Sequence, residues 1–172
     1  MYLCDVKYFI FDVMRLLKSF SFLCFAFLLV GCAVLKDPIV TRRASLDDYT
    51  YFYVTPTQDL TSSEGTSVGD QYYSVSKSIN PCDVISGALI KRGFVRLPQL
   101  DEEKLKETFI VNYGESGRRN VVLGYTIEIT MQFISAFDYK PVCVATAEGF
   151  GDTEADDVRQ AINRALDALF SE

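Results

Sequence analysis

Cysteine thiols are the most reactive side chains of this chain, because its 172 residues include five cysteines and no histidine. Histidine is the commonest general base at neutral pH and a common ligand of zinc and copper. Ser116 stands in the sequence Gly-Glu-Ser-Gly, which is not the nucleophile-elbow pattern, and no histidine exists to activate it. We therefore expect no catalytic residues, no metal and no cofactor, and we predict that the chain is not an enzyme.

Carboxylates near the C-terminus could supply the oxygen ligands that Ca²⁺ takes in proteins. The residues concerned are Glu148, Asp152, Glu154, Asp156 and Asp157. Their spacing departs from that of an EF-hand loop. Acidic residues at the start of a helix also stabilise the helix dipole without any metal, and we favour that interpretation.

A short positive region and an apolar run, residues 20–30, follow Met14 as they do in a secretory signal peptide. The end of this run resembles the lipobox of bacterial lipoprotein precursors, with the residues Leu29, Val30, Gly31 and Cys32. The resemblance implies that Cys32 receives a diacylglycerol and becomes the first residue of the mature chain after cleavage behind Gly31. Three acyl chains would then hold the protein stably on a membrane.

The N-terminal segment is expected to start at Met14, because Asp5 and Asp12 interrupt a region that should be positive. One alternative is that residues 20–35 form an uncleaved membrane anchor, although this run is shorter than the ~17–25 residues usually needed. Another is a buried core helix. Ala33 follows the cysteine in place of aspartate, which by resemblance to the enterobacterial sorting rule implies the outer membrane.

Three regions are predicted along the chain. Residues 1–31 form an N-terminal extension and signal peptide, residues 32–48 form the lipidated cysteine and a tether, and residues 49–172 form a single α+β domain. Pro38 and the charged residues around it favour a tether without regular structure.

Within the domain, residue alternation and helix caps predict the elements. Strands are expected at 49–55, 94–97, 108–113, 121–136 and 142–148, and helices after Asn80 and Thr153. Residues 57–70 and 114–120 are predicted to be a mobile loop and a polar turn. This order predicts a two-layer α+β sandwich, in which two helices cover one face of a mainly antiparallel sheet of about five strands.

With the lipobox and the closing helix at 153–170, this arrangement resembles small bacterial envelope lipoproteins, including uncharacterised families of the Bacteroides type and the family that escorts lipopolysaccharide-assembly barrels. The resemblance concerns the fold and the cellular location, and function cannot be inferred from a shared fold.

Two cysteines remain in the mature domain once Cys32 is assigned to lipid. Cys82 and Cys143 could form a disulfide in an oxidising envelope compartment, or stay as buried free thiols, or provide a reactive thiol at the start of a helix.

Three charged residues in the predicted polar turn are candidates for contact with a partner. They are Glu115, Arg118 and Arg119. The alternative is that they are solvated turn residues without a partner.

The net charge of −6 argues against a nucleic-acid partner, which would need clustered Lys and Arg. We hypothesise a non-catalytic, membrane-anchored lipoprotein of the cell envelope, whose domain binds an envelope protein or assists outer-membrane assembly. The alternative is a carrier of a lipid or other amphipathic ligand, which would need a cavity between helices and sheet.

Overall fold

The computed structural model describes residues 35–68, 71–121 and 124–171. The predicted signal peptide, the lipobox and Cys32 lie outside these residues. Within the described ranges, no helix combines the length and the apolar character needed to cross a bilayer.

A mixed sheet of six strands forms the centre of the domain, in the order β1-β8-β7-β6-β2-β5. The strands are β1 (Ile39–Arg42), β2 (Tyr51–Val54), β5 (Val95–Arg96), β6 (Thr108–Val121), β7 (Gly124–Ser135) and β8 (Pro141–Gly149). β1, β8, β7 and β6 pair antiparallel, whereas β2 runs parallel to both β5 and β6. The α+β class is thus confirmed, but the sheet is mixed and has one strand more than predicted.

A second, two-stranded sheet fills the stretch between β2 and the first helix. It consists of β3 (Leu60–Val68) and β4 (Gln71–Ile79), which pair only with each other. The prediction of a mobile loop at 57–70 is therefore wrong, because residues 60–68 form a strand. Serine, threonine and glycine dominate β3, so its sequence carries no apolar alternation that would predict a strand.

Two capped helices pack on one face of the six-stranded sheet. α1 (Pro81–Lys91) begins at Asn80, whose side chain accepts a hydrogen bond from the Cys82 amide at 3.0 Å. α2 (Glu154–Phe170) begins at Thr153, whose hydroxyl accepts from the Asp156 amide at 3.3 Å. Both caps confirm the sequence prediction, and such a cap stabilises a helix by about 0.5–2 kcal/mol.

The core lies between this sheet face and the two helices. Ile127, Ile129, Met131 and Phe133 alternate along β7 and are 0–4% exposed, as the period of two predicts. At the end of β8, α2 approaches so closely that a Cβ on Gly149 would lie 1.8 Å from the carbonyl oxygen of Asp157. Only glycine fits at this crossing of strand and helix.

The β6-β7 hairpin is longer than the sequence predicts. Residues 114–120, expected to be a polar turn, continue β6 as far as Val121, with a bulge between Glu115 and Gly117. β2 pairs only with residues 108–111 of β6, so the rest of β6 is an edge of the sheet. Polar residues and bulges are typical of such edges, and in the sequence they resemble the residues of a turn.

The tether is also shorter than expected. β1 lies within the predicted tether and pairs with β8 from Ile39 opposite Thr146 to Arg42 opposite Cys143. Leu46, also in this stretch, is 8% exposed and belongs to the core. The described segment from Ile39 onward is therefore part of the domain.

Candidate functional site

The N-terminal segment is fixed to the domain at Lys36, four residues after Cys32 in the sequence. The Lys36 amide donates to Glu148 Oε2 at 3.1 Å, and Lys36 Nζ lies 3.4 Å from Glu148 Oε1. The carbonyl oxygen of Lys36 accepts from Arg164 Nη2 at 2.8 Å. Backbone and side chain of this residue are thus both bound.

Glu148 is the centre of these contacts, although its side chain is only 3% exposed. Arg119 donates to both of its carboxylate oxygens, from Nε at 2.9 Å and from Nη2 at 2.6 Å. These hydrogen bonds, together with those from Lys36, lower the pKa of Glu148 to about 2. A buried carboxylate is costly unless it is paired, and this two-point pairing with arginine is the strong form.

Helix α2 completes the group through Arg164, whose Nη1 donates to the Glu148 carbonyl oxygen at 2.6 Å. Lys36, Arg119, Glu148 and Arg164 are called the Glu148 cluster below. It joins the N-terminal segment, the β6-β7 hairpin, β8 and α2 at one end of the sheet. The sequence predicts Glu148 only as one of the acidic residues near the C-terminus. The feature that marks it is a carboxylate among the small and apolar residues of β8.

The three predicted contact residues lie together on β6, but each has an intramolecular partner. Arg118 donates to Glu115 at 2.5 and 2.9 Å and to Glu154 at 2.6 Å, and it lies over the Tyr125 ring at 5.0 Å. These ion pairs raise the pKa of Arg118 and link the hairpin to the start of α2. Arg119 belongs to the Glu148 cluster.

Most of the acidic residues near the C-terminus pair with different basic residues. Glu148 pairs with Arg119, Glu154 with Arg118, and Asp156 with Lys77 at 2.6 Å. Asp157 is buried and accepts from the Gly151 amide, and burial raises its pKa to about 6. Among the described residues, no group of acidic or cysteine side chains could hold a metal ion.

Cys82 and Cys143 are both buried free thiols in the structure. Cys82 stands at the start of α1, where Arg96 Nη2 lies 3.4 Å from its sulfur. Burial raises the pKa of Cys143 to about 12, which keeps that thiol protonated and unreactive at neutral pH.

The space between helices and sheet is filled by side chains. The Phe109 ring lies 6.0 Å from the Phe52 ring and 5.7 Å from the Phe133 ring. A small cavity of about 140 Å³, lined by Arg42, Cys143 and Leu169 among others, is well below the ~300–1,000 Å³ of typical ligand pockets. The groove between α1 and α2 has a largely polar lining that includes Asn80, Asp83, Arg159, Asn163 and Asp167.

Aromatic and basic side chains gather at the opposite end of β8, in the turn that joins it to β7. Phe137 and Tyr139 are 57% and 68% exposed. Lys106 Nζ lies 5.3 Å from the centre of the Phe137 ring, and Lys140 pairs with Asp138 at 2.7 Å. Lys106, Phe137, Tyr139 and Lys140 are called the distal patch. The length of β8 places it about 26 Å from the Glu148 cluster, at ~3.3 Å per residue.

Comparison with known proteins identifies no family. No family model matches the chain, and no curated protein matches it. Among solved structures, the chain is similar to a PelC dodecamer from Paraburkholderia phytofirmans in a point-variant form. The two are 15% identical, the alignment covers 78% of this chain and 98% of the PelC chain, and the TM-score is 0.46. A PelC dodecamer from the same organism in another crystal form is 14% identical with a TM-score of 0.44, and covers 76% of this chain and 96% of its own. These values are too low to transfer an oligomeric state or a function.

Replacing Glu148 by glutamine should lower the free energy of unfolding at pH 7 by about 1–3 kcal/mol, because Arg119 and Lys36 lose a buried charged partner. The folded pKa of Glu148 lies below its unfolded value of about 4.3, so the charge stabilises the fold above that value and this contribution is lost as the pH falls towards 2. The difference between the two proteins in urea denaturation should therefore shrink over this range.

The matched control is Glu107→Gln, which removes an exposed carboxylate and should change stability little at any pH. A stability difference for Glu148→Gln that stays constant from pH 7 to pH 2 would contradict the assigned role of the charge.

Proposed function

We propose that the chain is a lipid-anchored protein of the cell envelope, whose domain is held at the membrane by its Glu148 end and binds a protein partner at its distal patch. The proposal takes the lipid at Cys32 from the sequence resemblance. What supports it in the structure is the fixed position of Lys36. Four residues span at most about 14 Å, so a lipid on Cys32 would keep the Glu148 cluster near the membrane surface.

This attachment would place the Glu148 end of the domain nearer the membrane than the opposite end. β1 runs antiparallel to β8, so the chain leaves the sheet at the Glu148 end when it is followed back towards Cys32. The distal patch lies at the other end of β8 and would face away from the anchoring membrane. We propose the outer membrane as the site of anchoring, on the basis of Ala33.

The distal patch has the composition of a contact surface. Two large aromatic side chains are exposed on a tight turn, whose hydrogen bonds from Tyr139 to Ser135 and from Ser135 to Lys140 fix their positions. Exposed aromatic residues on a rigid support are typical anchors of protein interfaces. Lys140 pairs with Asp138, so the positive charge beside the aromatic residues comes from Lys106, and it favours a partner with an acidic surface.

The filled core favours partner binding over the carrier alternative. Buried side chains pack between the helices and the sheet, and the cavity beside Cys143 is about 140 Å³, smaller than typical ligand pockets. We propose no catalytic activity, because the chain has no histidine to serve as a general base.

The anchor is tested by metabolic labelling with a palmitate analogue. We expect the unaltered protein to carry the label and to sediment with membranes, and Cys32→Ala to lose both properties. Cys24→Ala is the matched control, because it removes a cysteine that precedes the predicted cleavage site and should keep the label. Label that persists in Cys32→Ala would refute the lipid anchor.

Partner binding is tested by crosslinking in cells and purification of the lipidated protein from membranes. Phe137→Ala combined with Tyr139→Asn should lower recovery of the crosslinked partner roughly tenfold, as loss of interface hot spots does. Asparagine is chosen because Tyr139 has a φ of 57°, which asparagine tolerates. Ile90→Ala, which truncates an exposed residue on α1, is the control. Unchanged recovery with the double variant would exclude the distal patch as the contact.

A further inference from the structure

The distal patch borders an open pocket that separate parts of the chain form together. The segment after β1 contributes Arg43 and Tyr49, and the end of a short 3-10 helix contributes Lys106. Phe137, from the turn after β7, and Val142, on β8, complete these walls. The volume of about 450 Å³ lies within the ~300–1,000 Å³ of typical ligand pockets. These five residues line what is called the distal pocket below.

Backbone hydrogen bonds hold the parts of the distal pocket against one another. The amides of Arg43 and Ala44 donate to the carbonyl oxygen of Val142 at 2.8 and 3.2 Å. The Ala136 amide donates to the Thr108 carbonyl oxygen at 2.9 Å, which joins the turn after β7 to the start of β6. The walls of the pocket therefore have defined positions, and a site that is already ordered loses less entropy when it binds.

Uncompensated positive charge lies in the lining of the distal pocket. Lys140 and Asp138, at its rim, pair with each other at 2.7 Å. Lys106 Nζ lies over the Phe137 ring rather than beside a carboxylate, and Arg43 forms no ion pair with any carboxylate in the described part of the chain. Two cations thus remain for an anionic ligand, in a chain whose net charge is −6.

The cleft at the start of α2 has the opposite charge. The charged residues of its lining are Asp152, Glu154 and Asp157, which are all acidic. An anionic group would be repelled there and attracted to Arg43 and Lys106. The distribution of charge over the domain therefore directs an acidic ligand to the distal pocket.

Apolar surface lies directly beside the two cations. The Phe137 ring is 57% exposed at the rim, and Tyr49 is half-buried in the wall. Tyr139, nearby in the distal patch, has a φ of 57°, and such a left-handed conformation costs a residue with a side chain about 1–2 kcal/mol. Its side chain is 68% exposed, so packing in the core does not offset this cost. A contact with a ligand accounts for a tyrosine at this position.

We infer that the distal pocket binds an acidic peptide segment of the partner protein, in which carboxylates flank an apolar side chain. The inference rests on the proposed partner binding at the distal patch and names the chemistry of that partner. The carboxylates pair with Arg43 and Lys106 through charge-assisted hydrogen bonds, which are stronger than those between neutral groups. The apolar side chain packs against Phe137 and Tyr49, as aromatic residues at interfaces commonly allow.

A second copy of this chain in a symmetric pair fits the distal pocket less well. A twofold interface places the same surface of both copies face to face. Arg43 and Lys106 of one copy would then approach the same two cations of the other, and like charges across an interface are unfavourable. An acidic segment of a different protein meets no such repulsion.

The test is an NMR titration of the isotope-labelled, full-length lipidated protein in micelles of an uncharged detergent. The probe is an acetylated and amidated peptide, Gly-Glu-Phe-Glu-Gly, and the control peptide is Gly-Gln-Phe-Gln-Gly. We expect the acidic peptide to shift the amide signals of residues 43–44 and 137–140. It should bind about tenfold more tightly than the control peptide, because only its side chains carry the carboxylates that pair with Arg43 and Lys106.

Two double variants test whether the cations of the distal pocket are responsible. Arg43→Gln combined with Lys106→Gln should weaken binding of the acidic peptide about tenfold and leave binding of the uncharged peptide unchanged. The matched control is Lys91→Gln combined with Arg159→Gln, which removes the same charge from exposed positions at the groove between α1 and α2. Equal weakening in both double variants would assign the effect to the net charge of the chain and overturn the inference.

Further outcomes of the titration would also overturn it. Equal affinity for the two peptides would exclude a role for the carboxylates. Absence of any shift at residues 43–44 and 137–140 would exclude binding in the distal pocket. Inorganic phosphate that shifts these amides as strongly as the acidic peptide would show a general anion site rather than a site for a peptide segment.

Crosslinking in cells separates failure of this inference from failure of the proposed function. If Phe137→Ala with Tyr139→Asn lowers recovery of the partner whereas Arg43→Gln with Lys106→Gln does not, the distal patch binds a partner and the acidic segment is excluded. If neither double variant lowers recovery, the proposed contact at the distal patch itself fails. Lower recovery with both, together with the titration, supports the inference.

Discussion

The buried carboxylate of Glu148 is the interaction on which the arrangement of this domain depends. An ionised group that is almost fully removed from water is stable only with close partners, and Arg119 and Lys36 each contact both oxygens of Glu148. Because these partners come from the hairpin and the N-terminal segment, one side chain fixes both to β8. Arg164 adds α2 through the carbonyl oxygens of Glu148 and Lys36.

The proposed function follows from the two ends that this arrangement defines. At one end, Lys36 is bound to Glu148; at the other, a short turn exposes Phe137 and Tyr139. Between them lies a filled aromatic and aliphatic core, which keeps the ends at a fixed separation. In the proposed role, this separation would hold the contact surface away from the membrane.

The sequence predicted those features that depend on local chemistry. The caps at Asn80 and Thr153 and the alternation along β7 are each set by neighbouring residues, and all are confirmed. The errors concern β1, the β3-β4 pair and the far half of β6. β1 is short and pairs with distant residues of β8, whereas β3 and the far half of β6 are polar strands of local hairpins, so no apolar alternation marks any of the three. The contacts of the Glu148 cluster were not predicted either, because Lys36 and Glu148 are far apart in the chain.

The most direct measurement of the central claim is hydrogen exchange at the backbone amide of Lys36, which donates to Glu148. An amide held in the native fold exchanges only when the structure around it opens. We expect the Lys36 amide to exchange much more slowly than in an unstructured peptide, and Glu148→Gln to remove most of that protection. Exchange at the rate of an unstructured peptide in the unaltered protein would contradict the attachment of the N-terminal segment at Lys36, and with it the proposed position of the Glu148 end near the membrane.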